Sequence, residues 1–242
     1  METPFEETII LLPTYNEIDN IERMLNAIMA VSDKLNVLVI DDNSPDNTAS
    51  VVEKFKEGRP NIHLNKRAGK LGLGTAYIEG FRYALKNGFN YVFTMDSDFS
   101  HDPKEIPNLI EAARSNDLVV GSRYVGGIRI INWPLRRLAL SSFASFYVRM
   151  VTGIRVKDPT SGFNCFTRKA LESIDLSRIF SVGYSFLVEL KFKIWTKGLK
   201  LSEVPIIFYE RRDGQSKMSK RIIVESVLSV FRLRMKKLLG TL

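Results

Sequence analysis

Apolar positions along this chain alternate between two periods. Short, mostly apolar runs at 8–12 (TIILL), 37–40 (VLVI), 91–95 (YVFTM) and 117–120 (DLVV) are rich in β-branched and aromatic residues. Runs of that length read as buried strands, and a weaker run at 61–64 reads as another. Between them apolar residues recur at helical spacing. Ile21, Met24, Leu25 and Ile28 mark a helix over 18–31, and Ala49, Val52 and Phe55 mark one over 46–57. Further helices are predicted over 73–87, closed by Gly88 as a C-terminal cap, and over 103–115. Strands alternating with helices of these lengths predict an α/β fold, a mostly parallel, doubly wound sheet flanked by helices.

The pattern loosens after Tyr124. Gly126 and Gly127 open a loop, 134–151 reads as an apolar helix with a basic start, and 198–202 with 204–208 suggest another strand. Over 217–239, Ile223, Val224, Val227, Leu228, Phe231, Met235 and Leu238 share one helical face. Arg221, Glu225, Ser229, Arg232 and Lys236 share the other, so the chain ends in a basic amphipathic helix. Two readings stay open for it: a helix lying on an anionic bilayer, or a core-packed helix with a solvated outer face.

Composition narrows the partners. Of 242 residues 45% are hydrophobic, enough for a sizeable core, and the net charge of +8 favours anionic partners. Nucleotides, nucleic acid and an acidic membrane face all qualify. Against nucleic acid stand the acidic strand ends described below and the lack of an aromatic RNA-binding platform or helix-turn-helix pattern. The single cysteine, Cys165, allows no internal disulfide and fits a reducing compartment. His63 and His101 are far apart and offer no zinc-type cluster. The acidic N-terminus METPFEE lacks the apolar core of a signal peptide. The longest charge-free stretch, 138–148, has eleven residues, short of the roughly 20 needed to span a bilayer. A protein that is soluble or rests on a surface is expected.

Three polar segments follow apolar runs: 13–17 (PTYNE), 40–44 (IDDNS) and 96–98 (DSD). Sites in open α/β sheets form outside the carboxyl ends of strands, so acidic residues at three such ends point to one crevice. In DSD, carboxylates at i and i+2 can reach one hard cation. Mg²⁺ and Mn²⁺ bind through few carboxylates plus substrate phosphate oxygens. The plain alternative is an ordinary turn. Asp41 and Asp42 repel unless hydrogen bonds, such as those from a ribose, absorb the charge, while Ser44 and Asp46 offer helix capping. Tyr15 could stack on a base and Glu17 accept from it, against a capped turn as the alternative. The segment 69–74 (GKLGLG) fails the dinucleotide fingerprint: Tyr77 stands three positions after Gly74, and the loop is not the first strand–helix turn. It reads instead as a cationic loop near phosphates, with Lys66, Arg67 and Lys70 available. In 211–217 (RRDGQSK), three cations accompany Gly214 and Ser216, which suits a second anion.

Taken in order, PTYNE (13–17), VIDDNSPDNT (39–48), GKLGLGTAY (69–77), MDSDFSHDP (95–103), GSRY (121–124), DPTSGFNCF (158–166), GYSFLVEL (183–190) and RRDGQSK (211–217) span nearly the whole chain. The ordered set resembles family 2 glycosyltransferases of the GT-A fold, and within them the dolichyl-phosphate (polyprenyl-phosphate) mannose synthases. The resemblance implies one Rossmann-like GT-A domain over 1–242: a nucleotide-sugar-binding half at 1–124, an acceptor-binding half at 125–217 and the terminal helix at 218–242. It implies transfer of mannose from GDP-mannose to dolichyl (polyprenyl) phosphate, with inversion. Positions matching Pro13, Tyr15, Glu17, Ile40 and Asp42 hold the nucleoside, and those matching Asp96, Ser97 and Asp98 hold diphosphate and metal. Those matching Arg123, Arg137, Arg211 and Lys217 face the phosphates, the last three on the acceptor side. Asp98, Arg123, Arg211 and Lys217 are the catalytic set so implied. The metal, Mg²⁺ or Mn²⁺, falls to Asp96, Asp98 and Ser100. Some relatives carry Gln where this chain has Ser100, which leaves the metal preference open. The chain resembles the short form that lacks transmembrane helices. Such forms are peripheral on the cytoplasmic face of a membrane or depend on a small membrane-spanning partner. The nearest rival is a transferase using UDP-glucose or another sugar nucleotide on the same lipid.

Overall fold

The computed structural model describes residues 3–181, 183, 185–210 and 220–242, without the side chains of 220–224. In chain order the elements are β1 (Thr8–Thr14), α1 (Ile18–Val31), β2 (Asn36–Asp41), α2 (Thr48–Phe55), β3 (Ile62–Lys66), α3 (Leu73–Lys86) and β4 (Tyr91–Thr94). Then come α4 (Ile106–Ala113), β5 (Leu118–Ser122), β6 (Ile130–Ile131), α5 (Leu135–Thr152), β7 (Asn164–Thr167) and α6 (Arg168–Glu172). α7 (Ser185–Thr196), β8 (Leu201–Pro205), β9 (Phe208–Tyr209) and α8 (Lys220–Leu238) complete the chain. The helix predicted over 103–115 divides into a 3-10 turn, Pro103–Glu105, capped by the Asp102 carboxylate, and α4.

Among the described residues the main sheet has seven strands in the order β3-β2-β1-β4-β7-β5-β8. Every neighbouring pair is parallel except those of β7, which runs antiparallel to both β4 and β5. Both faces are covered, which is why the strands read as continuous apolar runs. In β1, Ile9 and Leu11 enter the core layer beneath α3, while Ile10 and Leu12 enter the layer under α1 and α4. Gly80 lets α3 approach closely: a Cβ there would meet Leu11 Cδ1 at 2.7 Å and Ile40 Cδ1 at 2.8 Å.

The terminal helix shows features of both readings. Val230 and Leu233 are buried. Leu228, Phe231, Met235 and Leu238 form an exposed stripe. Three of its cations lie over aromatic rings of the body: Arg232 and Lys236 over the Phe180 ring and Lys237 over Trp195. α5 exposes Leu135, Leu140, Phe143, Phe146 and Met150. It packs on α8, with the Tyr147 hydroxyl donating to the Val227 carbonyl. Among the described residues no helix is long and apolar enough to cross a membrane.

Candidate active site

The order β2-β1-β4 places three acidic loops side by side on one edge of the sheet. All three loops are held in tight backbone conformations. Asn16, Asn43 and Phe99 have φ of 60°, 58° and 62°. For the bulky Phe99 this left-handed conformation costs energy that the surroundings must offset, a pattern frequent at functional loops.

The two adjacent carboxylates after β2 are resolved by separate partners. Asp41 accepts from the Thr14 hydroxyl (2.8 Å), the Ser44 amide (2.9 Å) and the Ser44 hydroxyl (2.6 Å). Asp42 accepts from Arg67 and from the Gly72 amide. Arg67 is therefore not a free cation near phosphates. Its side chain is buried, with further bonds to Glu79 and the Thr75 hydroxyl. Lys66 pairs with Glu53. Of the three cations expected there, Lys70 faces a site residue, its ammonium 3.9 Å from the Tyr15 ring centre. Glu17 is fixed by its amide bond to the Thr48 hydroxyl and accepts from Asn20. The Ile40 side chain is wholly buried in the core, which leaves main-chain atoms for any contact with a ligand.

After β4, Asp98 accepts from the Ser100 amide (3.1 Å) and the Ser100 hydroxyl (2.6 Å). Ser97, Asp98 and Ser100 are buried, and the Asp96 side chain is 32% exposed. The Asp96 amide donates to His101 Nδ1 at 3.2 Å, which puts that ring's proton on Nε2. His101 stacks on Phe163 and meets Phe208 edge-on. Among the described residues no group of three or more His, Cys, Asp or Glu is disposed to hold a metal. Two carboxylates and a hydroxyl still fit Mg²⁺ or Mn²⁺, hard ions that keep water and take substrate phosphate oxygens as ligands.

β7 was not foreseen, and it delivers the next part of the site. Because it runs antiparallel, Asn164 sits opposite both Thr94 and Val120, so the preceding turn lies at the carboxyl edge of β4 and β5. The Thr94 hydroxyl donates to the Gly162 carbonyl (2.7 Å), and Gly162 lies against His101 and Asp96. In the same turn Asp158 receives Arg123: Nε donates to Oδ2 and Nη2 to Oδ1, both at 2.7 Å. Arg123 Nη2 also donates to the Thr160 hydroxyl. Arg123 was expected to face phosphate; the pairing takes Nε and Nη2 and leaves Nη1. Burial alone would raise the Asp158 carboxyl, but the Arg123 charge outweighs it and holds the carboxyl below its ordinary range.

Beneath this turn lies Lys191 of α7, fully buried, its ammonium donating to the Pro159 (3.1 Å) and Ser161 (2.7 Å) carbonyls. Burial brings it down to about 7, with Asp158 opposing and Arg123 reinforcing the shift. On another side of α7, Glu189 accepts from the Phe180 and Ser181 amides and pairs with Lys193. Sequence reading missed these residues. Their one signal was three charges spaced two apart within an apolar helix.

On the far side of the crevice, Arg137 pairs with Glu210 and stacks on Trp133, while the Tyr124 hydroxyl donates to Ser141. Arg211 and Lys217 lie outside the described residues. A cleft of about 540 Å³ lined by His63, Asn65, Arg82 and Tyr83 lies along β3, away from DSD.

Residues 9–175, more than half of the chain, match the sequence family described as Glycosyl transferase family 2. An undecaprenyl-phosphate mannosyltransferase of Micrococcus luteus is 41% identical over 93% of this chain and 92% of its own. A polyprenol monophosphomannose synthase of Mycolicibacterium smegmatis is 39% identical over 94% of this chain and 86% of its own. A mannosyltransferase from Pyrobaculum calidifontis, solved in complex with GDP-Man and Mn²⁺, superposes with a TM-score of 0.57 over 97% of this chain and 74% of its own. At 18% identity that likeness speaks to the GT-A fold.

Proposed function

The chain belongs to glycosyl transferase family 2, and from that premise we propose that it transfers mannose from GDP-mannose to a polyprenyl phosphate, with inversion at the anomeric carbon. The observation that carries this reading is the meeting of Tyr15, Asp42, Asp96 and Asp98 on one edge of the sheet. The two relatives named for mannose transfer to polyprenols support the lipid acceptor. The GDP-Man bound in the Pyrobaculum enzyme supports the donor.

The chemistry follows from charge. The acceptor phosphate is anionic at neutral pH, so its oxygen attacks the anomeric carbon without a strong base. Departing GDP is the harder demand. Asp96 and Asp98, with the Ser100 hydroxyl orienting Asp98, are the residues that would hold Mg²⁺ or Mn²⁺. A bound ion there supplies positive charge to the diphosphate as it leaves. Tyr15 and Asp42 hold the nucleoside. Arg137, with Arg211 and Lys217, screens repulsion between the acceptor phosphate and the diphosphate. Attack opposite the leaving group turns an α-linked donor into a β-linked lipid product. Transfer of radiolabel into the lipid phase from GDP-mannose, lost on chelation, is the expected outcome. Label from UDP-glucose alone would overturn the donor, and no label from either would overturn the reaction.

The protein is peripheral on the cytoplasmic face of the membrane in this reading, seated by the exposed apolar residues of α5 and α8. Replacing Phe143 and Phe231 by Ser together is expected to weaken binding to anionic vesicles by about a hundredfold or more, since each ring buried contributes roughly 1.5–3 kcal/mol. Transfer to a short, water-soluble acceptor should be unchanged. Co-sedimentation with vesicles measures this. Binding that requires an added membrane-spanning partner would replace the peripheral reading.

A further inference from the structure

Arg137 is already occupied in the structure. Glu210 Oε1 lies 2.8 Å from Arg137 Nη1, with the side chains 33% and 35% exposed. The Arg137 guanidinium sits 4.1 Å from the Trp133 ring centre, and Trp133 meets Phe208 edge-on. Main-chain bonds hold the backbone that carries Glu210. β9 pairs with β6, and the Glu210 amide donates to the Ile131 carbonyl. One residue earlier, the Tyr209 amide donates to the Ser100 carbonyl, so β9 also touches the loop of Asp96 and Asp98. The other arginine near Trp133, Arg123, is buried against Asp158. Among the described residues of this cluster, Arg137 is therefore the more open cation.

We propose that Glu210 is an internal stand-in for the acceptor phosphate, orienting Arg137 in the empty site and yielding it when the phosphate arrives. This rests on the acceptor reading given above. A carboxylate and a phosphate offer a guanidinium the same arrangement of oxygens. A phosphomonoester carries a charge of about −1.5 to −2 at neutral pH and outcompetes a carboxylate. The glycosylated product is a phosphodiester with a single negative charge, so it competes less well. Glu210 thus lowers acceptor affinity below what Arg137 alone would give, and it retakes Arg137 as the product leaves.

The test is steady-state transfer to a short-chain polyprenyl phosphate by the wild-type chain, Glu210→Gln, Arg137→Ala and the double variant. Gln keeps the shape and a hydrogen bond to Arg137 but removes the charge. Glu210→Gln is expected to lower the acceptor KM roughly three- to tenfold, consistent with a partly exposed charge pair and the repulsion relieved. Inhibition by product should tighten by a similar factor, and kcat should not rise. In the Arg137→Ala background the same substitution should leave KM unchanged. A KM that rises or stays the same in the single variant overturns the proposal, as does an equal fall without Arg137. Transfer by the wild-type chain with either of those results removes this inference alone. No transfer by the wild-type chain removes the acceptor reading, and this inference with it.

Discussion

Asp98→Asn is expected to cut mannose transfer by at least about 10²-fold, the loss typical of removing one preorganised charge from a developing transition state. Asn preserves the volume of the side chain. It can still accept from the Ser100 amide and hydroxyl, which bond one oxygen of Asp98 at 3.1 Å and 2.6 Å. The loop therefore keeps its shape while a negative charge is lost. That separates this substitution from an Ala variant, which would also empty a buried position. If Asp98 holds the ion, its affinity for Mn²⁺ in the presence of GDP should fall in parallel, read by the paramagnetic signal of free Mn²⁺. Near-normal turnover with unaltered Mn²⁺ affinity would remove Asp98 from its role. Lost turnover with unaltered affinity would move the effect from the metal to the diphosphate.

The first half of the molecule was legible because its strands are short apolar runs and its helices keep a strict period. β1, α1 and β2 stand where Ile9–Leu12, Ile21–Ile28 and Val37–Ile40 imply. The acidic strand ends could be assigned to one crevice because a parallel sheet sends every carboxyl end to the same edge. Side-chain pairing was less legible. Arg67 reads as a loose cation until Asp42, 25 positions away, is seen to hold it. β7 was missed because four residues, Asn164–Thr167, give no countable alternation. α7 is buried nearly all round, so its apolar residues show no single face. Its charged residues are matched by main-chain atoms of turns 158–161 and 178–181, and no spacing rule connects a lysine to a carbonyl 30 positions away.

Those buried pairs carry the second large expectation. Asp158→Ala should destabilise the fold by about 3–5 kcal/mol, because it leaves Arg123 buried with its main partner gone. Asp158 is fully buried and receives Arg123 through two side-chain bonds and one from the Arg123 amide. Urea denaturation measures the loss, and a cost under about 1 kcal/mol would show that water or Thr160 compensates. Replacing both partners with apolar residues should recover much of it, since a buried ion pair is often matched in stability by well-packed hydrocarbon. Lys191 gives the same region a pH signature. Its pKa in the fold is about 7, against an ordinary 10.5. The unfolded chain then binds more protons than the folded one between those values. Stability should therefore rise with pH through that window, by at most about 1.4 kcal/mol per unit. In Lys191→Met that contribution should vanish. A slope that persists unchanged in the variant would assign the titration elsewhere. The turn that places Gly162 beside Asp96 and Asp158 beneath Arg123 is thus held by a lysine whose charge the core tolerates poorly, because two carbonyls need a donor there.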